Sequence, residues 1–120
     1  MRLYQLLKSK IHHARVSYTN PDYIGSIEID QDLMDRVGMI PGELVHVWDV
    51  TNGERFTTYA MPGEPNCIGL NGGAAFKVRV GDTLIIVSFA VSDEPVTPQI
   101  ILVDENNHYV RDIVPFKRDG

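Results

Sequence analysis

The chain has only one cysteine, Cys67, among its 120 residues, so no disulfide can close within one copy. That usage agrees with a reducing compartment, and the thiol reads as a packed or semi-exposed bystander. Positive charge is also scarce: 11 Lys and Arg stand against 16 Asp and Glu, a net charge of -5. Nucleic acid and anionic membranes both require a cationic face, so neither is expected as a partner. A small anionic substrate remains compatible if a local cationic pocket receives it. No apolar run is long enough to span a bilayer. The start, Met1-Arg2-Leu3-Tyr4-Gln5, has neither the apolar stretch nor the cleavage pattern of a signal peptide. A soluble, unexported, cytoplasmic protein is expected. Low-complexity tracts and linkers are absent, and 43% apolar content over this length suits one domain spanning residues 1–120. The histidines His12, His13, His46 and His108 come with no ligand cluster, so no metal site is expected.

What is present is the pattern of an all-β protein with short helices: brief runs rich in Val, Ile, Thr and Tyr, divided by turn residues. Val45 to Val50 and Arg55 to Ala60 flank Asn52-Gly53, a pair suited to a type I′ hairpin turn. Thr83 to Ala90 reads as a buried central strand. Ile100 to Val103, Asn106-Asn107 and Tyr109-Val110 read as a second hairpin. One helix interrupts the strands: Asp30 caps it, Leu33, Met34 and Val37 share a face, Gly38 suits the C′ position and Pro41 prevents continuation. A short helical turn is expected at Gly73-Ala74-Ala75-Phe76. Gly38 to Glu43 and Val80-Gly81-Asp82 look like two versions of one turn leading into a strand, a hint of internal duplication. A small closed barrel with interlocked halves accommodates this and leaves no exposed strand edge.

Gly25-Ser26 sits between Asn20-Pro21-Asp22-Tyr23-Ile24 and the strand-like Ile27-Glu28-Ile29, and alone it marks no more than a loop-to-strand junction. Five segments in order give it meaning: Lys8 to His12, Tyr23 to Ile27, Ile29 to Leu33, Thr51 to Ala60, and Leu70-Asn71-Gly72. Together they resemble the aspartate alpha-decarboxylase family along nearly the whole chain.

The resemblance implies a six-stranded double-psi β-barrel and a homotetramer with active sites between neighbouring subunits. It implies self-cleavage before Ser26 into residues 1–25 and 26–120, with Ser26 becoming a covalent pyruvoyl group and no external cofactor or metal. The activity implied is decarboxylation of L-aspartate to β-alanine and carbon dioxide, which supplies pantothenate and coenzyme A biosynthesis. A serine hydroxyl can attack the preceding carbonyl to give an ester; β-elimination leaves dehydroalanine, which hydrolyses to a ketone. Glycine at 25 allows the backbone distortion that this attack requires. The ketone condenses with the substrate amine, and the Schiff base accepts the electron pair released with carbon dioxide.

By the same resemblance, Arg55 and Lys10 bind substrate carboxylate, for which an arginine fork is suited. Tyr59 donates the proton to the decarboxylated carbanion, and Thr58 stabilises the processing oxyanion and contacts substrate. Neighbouring strand residues point to opposite faces, so these two serve one site only if the strand twists or bulges there. Asn71, Gly72, Gly73 and Ala74 form a small-residue loop that offers backbone amides to substrate. Gly73 and Phe76 depart from the family's usual alanines and histidine, and the span from Tyr59 to Asn71 is shorter than its common spacing. Tyr23, Trp48 and His12 match residues near the site.

Two alternatives stand beside this reading. Gly25 to Ile29, the following helix and Gly42 to Val45 also resemble the swapped-hairpin barrels of AbrB-like DNA-binding regulators, against which the acidic charge and the second half from Arg55 to Val110 weigh. The other is a decarboxylase homologue that does not process itself.

Overall fold

The alternation of apolar and polar residues becomes the two faces of a nine-stranded sheet in a computed structural model that describes residues 1–116. The end of the expected 26–120 fragment, residues 117–120, lies outside the described residues. In chain order come β1 (Tyr4–Arg15), β2 (Tyr18–Asn20), β3 (Ser26–Asp30), α1 (Gln31–Val37), β4 (Leu44–Asp49) and β5 (Arg55–Gly63). Then follow β6 (Ile68–Asn71), a 3₁₀ turn (Gly72–Phe76), β7 (Thr83–Ser92), β8 (Gln99–Val103) and β9 (Tyr109–Asp112). The strands run β2-β6-β3-β5-β4-β7-β1-β8-β9. The six expected strands are exceeded because short ladders such as β2 and β9 extend the order at its two ends. No helix among the described residues is long and apolar enough to cross a membrane.

Local signals were decisive where a side chain acts on its own neighbourhood. The Asp30 carboxylate accepts the Asp32 N–H at 2.8 Å, Gly38 takes φ 73°, and Leu33, Met34 and Val37 are buried, so α1 forms as its sequence predicts. The 3₁₀ turn also forms where expected. Both hairpins form, β4 with β5 and β8 with β9. The first does not close through a type I′ turn, which needs positive φ at both central residues. Gly53 has φ 79°, but Asn52 is not left-handed. Instead the Asp49 carboxylate accepts the N–H groups of Thr51 (2.8 Å) and Asn52 (3.1 Å), and Gly53 N–H donates to the Asp49 carbonyl. That side-chain turn outcompetes the tight hairpin and widens the loop.

The suspected duplication has a physical counterpart. Gly42 (φ 85°) donates its N–H to the Ala60 carbonyl, and Gly81 (φ 92°) donates to the Val16 carbonyl, both at 2.8 Å. Each turn is thereby tied to the partner of the strand that follows it: β4 runs antiparallel to β5, and β7 antiparallel to β1. The central strand β7 lies between β1 and β4. Ile11, Ile27, Ile29, Leu70, Leu84 and Ile86 are fully buried in one continuous apolar core. With the inward row filled by hydrocarbon, polar chemistry is left to the other face.

Candidate active site

Ser26 begins β3, where Ile27 and Ile29 turn into the core and Ser26 and Glu28 turn to the opposite face. Ser26 is 4% exposed and faces Asn71 across the antiparallel β3–β6 ladder. The Asn71 Nδ2 donates to Ser26 Oγ at 3.3 Å and to Glu28 Oε1 at 2.9 Å. Asn71 is itself buried, and its Oδ1 has no hydrogen-bond partner among the described residues.

Gly25 occupies the loop-to-strand junction, as expected, but its backbone is not left-handed, and a Cβ there would meet nothing nearer than the Asn71 carbonyl oxygen at 3.9 Å. The glycine that the resting fold requires is Gly72. It has φ 67°, and a Cβ on it would lie 2.6 Å from Gly25 Cα and 3.0 Å from Gly25 N. The loop after β6 therefore packs closely against Gly25, the residue before Ser26. Gly72, Gly73 and Ala74 open the 3₁₀ turn, whose first N–H groups have no partner within it.

Tyr59 reaches the same place from β5, which runs parallel to β3 with Ile27 opposite Ala60. Ser26, Glu28 and Tyr59 line an open cleft of about 390 Å³, together with Tyr23, Ile24 and Met61. Thr58 does not share it. The β4–β5 register is regular through Tyr59 and Thr58, with no bulge, and Thr58 pairs with the fully buried Val45. Cross-strand partners face one side, so Thr58 points inward while Tyr59 points outward.

Arg55 lies on the outer face of β5 in a second cleft of about 400 Å³, with Gln5, His46, Trp48, Thr57 and Phe89. Its guanidinium lies 4.8 Å from the Trp48 ring centroid, a cation–π contact between cross-strand partners. Lys10 is farther away: Lys10, Val87, His46 and Thr57 form one row across four strands, about 14 Å from end to end at ordinary strand spacing. Within one chain the expected cations thus do not converge on Ser26. Among the described residues Glu28 is the only charged one lining the Ser26 cleft.

His12 stacks on His13 with ring centroids 3.8 Å apart, beside a β-bulge where His13 takes φ 68°. Burial, then the neighbouring His13 and Lys10, lower the His12 pKa to about 4, so it is neutral at physiological pH. Cys67 is buried, and burial raises its pKa, which suits an inert thiol. Among the described residues no group of three or more His, Cys, Asp or Glu is placed to hold a metal ion.

Two residues were missed in the sequence. Glu28 was findable, since a period of two places it beside Ser26. Tyr18 was not: its ring lies across Gly69, where a Cβ would come within 2.0 Å of Cζ, and only the β2–β6–β3 pairing puts it in one row with Glu28.

Comparison with known proteins bears on the fold and on the family. A rationally designed double-psi β-barrel protein superposes with a TM-score of 0.50 at 19% identity, over 71% of this chain and 95% of its own, which shows the fold. Among sequences, an aspartate 1-decarboxylase of Phocaeicola vulgatus is 56% identical over 91 residues, 74% of this chain and 78% of its own. One from Burkholderia vietnamiensis is 43% identical over 119 residues, covering 92% and 93% of the two chains. One from Haloquadratum walsbyi is 48% identical over 104 residues, covering 85% and 91%. The family model for aspartate decarboxylase matches residues 2–110, and the chain belongs to that family.

Proposed function

We propose that this chain is the precursor of a pyruvoyl-dependent decarboxylase that converts L-aspartate to β-alanine and carbon dioxide after cutting itself between Gly25 and Ser26. The observation that carries the reading is the state of Ser26: a buried hydroxyl with a donor on its oxygen, next to a glycine that the Gly72 loop holds in close contact. Self-cleavage begins when Ser26 Oγ adds to the Gly25 carbonyl carbon. The C–N bond breaks, the hydroxyl proton ends on the Ser26 nitrogen, and an ester remains. Loss of the Ser26 Cα proton to solvent then breaks the Cβ–Oγ bond and releases Gly25 as a carboxylate. Water replaces the nitrogen of the resulting dehydroalanine as ammonia, leaving a ketone at the head of residues 26–120.

The residues around position 26 fit such a group. A carbonyl there needs a hydrogen-bond donor, which Asn71 Nδ2 supplies, and the cleft beside it is open for a small amine to enter. The pyruvoyl carbonyl supplies an electron sink for the pair released with carbon dioxide. Tyr59, on the same cleft, returns a proton to the product carbon. Arg55 holds a substrate carboxylate by its fork, with Lys10 as the second cation. Asn71, Gly72, Gly73 and Ala74 fix the position of the bound substrate through side-chain and backbone amides. Thr58 faces inward, off the Ser26 cleft, but the parallel β3–β5 register carried back from Ile27 and Ala60 sets it level with Gly25, which supports a role at the processing oxyanion and not in substrate contact.

The separation of Arg55 and Lys10 from Ser26 supports a homotetramer in which a neighbouring copy brings its cations to the Ser26 cleft. The product, β-alanine, would feed pantothenate synthesis in the cytoplasm. The test is an intact mass spectrum of denatured protein after warming. Two fragments are expected, residues 1–25 and 26–120, the second lighter by one ammonia than hydrolysis alone gives. The Ser26→Ala variant should remain one folded, inactive chain. A wild-type chain that stays whole, or an unmodified serine at the new terminus, would overturn the proposal.

A further inference from the structure

A carboxamide has a donor end and an acceptor end of nearly the same shape, and its hydrogen-bond partners decide which end faces where. At Asn71 the deciding partner is Glu28. An ionised carboxylate only accepts, so the atom held between Glu28 Oε1 (2.9 Å) and Ser26 Oγ (3.3 Å) must be the nitrogen, whose two hydrogens serve both oxygens. The opposite end, Oδ1, is buried with no partner among the described residues, so the amide gains nothing on that side from this orientation. Glu28 is in turn backed by Tyr18. Tyr18, Gly69 and Glu28 form one row across β2, β6 and β3, and the absence of a side chain at Gly69 lets the Tyr18 ring lie across it on the side of Glu28. Burial, followed by the nearby Glu28 carboxylate, pushes the Tyr18 pKa up, so the hydroxyl keeps its proton.

We infer that Glu28, braced by Tyr18, is a positioning residue for self-cleavage that locks the Asn71 amide with its NH₂ end on Ser26 Oγ. The inference rests on the proposed cut before Ser26 and names what prepares it. Negative charge develops on Oγ twice in that sequence: when the hydroxyl loses its proton in attacking Gly25, and when the Cβ–Oγ bond breaks and Oγ leaves as part of the Gly25 carboxylate. A donor fixed on Oγ beforehand stabilises both events without reorganisation. The reversed amide would put a carbonyl oxygen against Oγ and oppose both.

The test follows cutting of freshly purified precursor by intact mass. Glu28→Gln keeps the size of the side chain but removes the acceptor-only partner, so the Asn71 amide is free to reverse. Cutting is expected to slow at least about tenfold, toward the roughly 10²–10³-fold attributed to losing one such donor. Glu28→Ala should slow it similarly, and thermal melting of both precursors reports whether the fold is kept. The discriminating measurement is the double variant: if Glu28 acts through Asn71, Glu28→Gln adds nothing in an Asn71→Ala background, whereas independent effects multiply. Unchanged cutting in both folded Glu28 variants, or multiplied effects in the double variant, overturns the inference while leaving self-cleavage standing. A wild-type precursor that never cuts removes both.

Discussion

Asp49 ends β4 and Asp82 precedes β7, and both carboxyls are buried, at 2% and 8% exposure. One Asp49 oxygen accepts the N–H groups of Thr51 and Asn52; the other, Oδ2, is buried with no hydrogen-bond partner among the described residues. Burial, followed by the bond to Asp82 that one shared proton makes, raises the Asp49 pKa from its ordinary 3.8 to about 6. The sign follows from linkage: a carboxyl whose folded pKa is raised contributes stability below about pH 4, and that contribution is lost as pH rises through about 6. A shift of roughly two units corresponds to at most about 3 kcal/mol. Asp49→Asn keeps the oxygen that binds the loop N–H groups and puts a permanent N–H donor where the shared proton sat. The variant should therefore be more stable than wild type at pH 8, by up to that amount, and nearly equal to it near pH 4. Urea unfolding at fixed protein concentration across pH 4 to 8 measures the difference, and subtracting the two curves removes the opposite contribution of Glu43, whose pKa is lowered. A difference that stays flat with pH, or that favours wild type at pH 8, would refute a proton-sharing pair.

The two glycines at the cut should separate. Gly72→Ala is expected to lose about 1–2 kcal/mol from its left-handed backbone alone and to displace Gly25, lowering the melting temperature and disturbing cutting. Gly25→Ala, with its nearest new contact at 3.9 Å, should melt normally and cut slowly; normal cutting would show that the attack needs no glycine there. Arg55→Lys should weaken kcat/KM for aspartate by the roughly 1.5–3 kcal/mol of hydrogen bonds to a charged group, and co-expression of Ser26→Ala with Arg55→Ala should restore partial activity if sites are shared between copies. Tyr59→Phe should mature fully, as read by pyruvoyl content, and turn over about 10²–10⁴-fold more slowly per site; a near-normal rate would remove Tyr59 as proton donor.

How much of this was legible in the sequence depended on the range of the forces involved. The cap at Asp30, the left-handed Gly38 and the buried face of α1 are settled within a few residues, and all appear as read. The loop after β4 departs from the turn that Asn52-Gly53 alone predicts, because the Asp49 carboxylate holds it from outside the pair. Thr58 and Tyr59 illustrate a signal that was available: strand alternation already separates them, and the regular β4–β5 register leaves that separation in place. Tyr18 illustrates one that was not. Its packing over Gly69 and its place in one row with Glu28 depend on pairing among three strands, and no local pattern records which strands become neighbours.

The barrel's inward row is hydrocarbon, with Ile27, Ile29, Val45 and Ala60 fully buried, so the candidate chemistry of Ser26, Tyr59 and Arg55 has only the outer face to occupy. An outer face is wet, and charge recognition in water is weak: two unit charges 4 Å apart gain only about 1 kcal/mol there, against about 4 in the intermediate medium near a protein surface. The Ser26 cleft adds a second difficulty, because its one charged lining residue among the described residues is Glu28, while aspartate brings two carboxylates. Both difficulties call for the same remedy, a cover that excludes water and carries cations. The rim is built to receive one: Tyr23, Ile24, Tyr59 and Met61 at the Ser26 cleft and Phe89 at the Arg55 cleft are large apolar side chains left exposed. A second copy of this chain offers both parts of that cover, since its own Arg55 and Lys10 lie on the outer face beside apolar surface. The charge that the Ser26 cleft lacks and the apolar area left uncovered around it are therefore one demand, which the proposed assembly would meet.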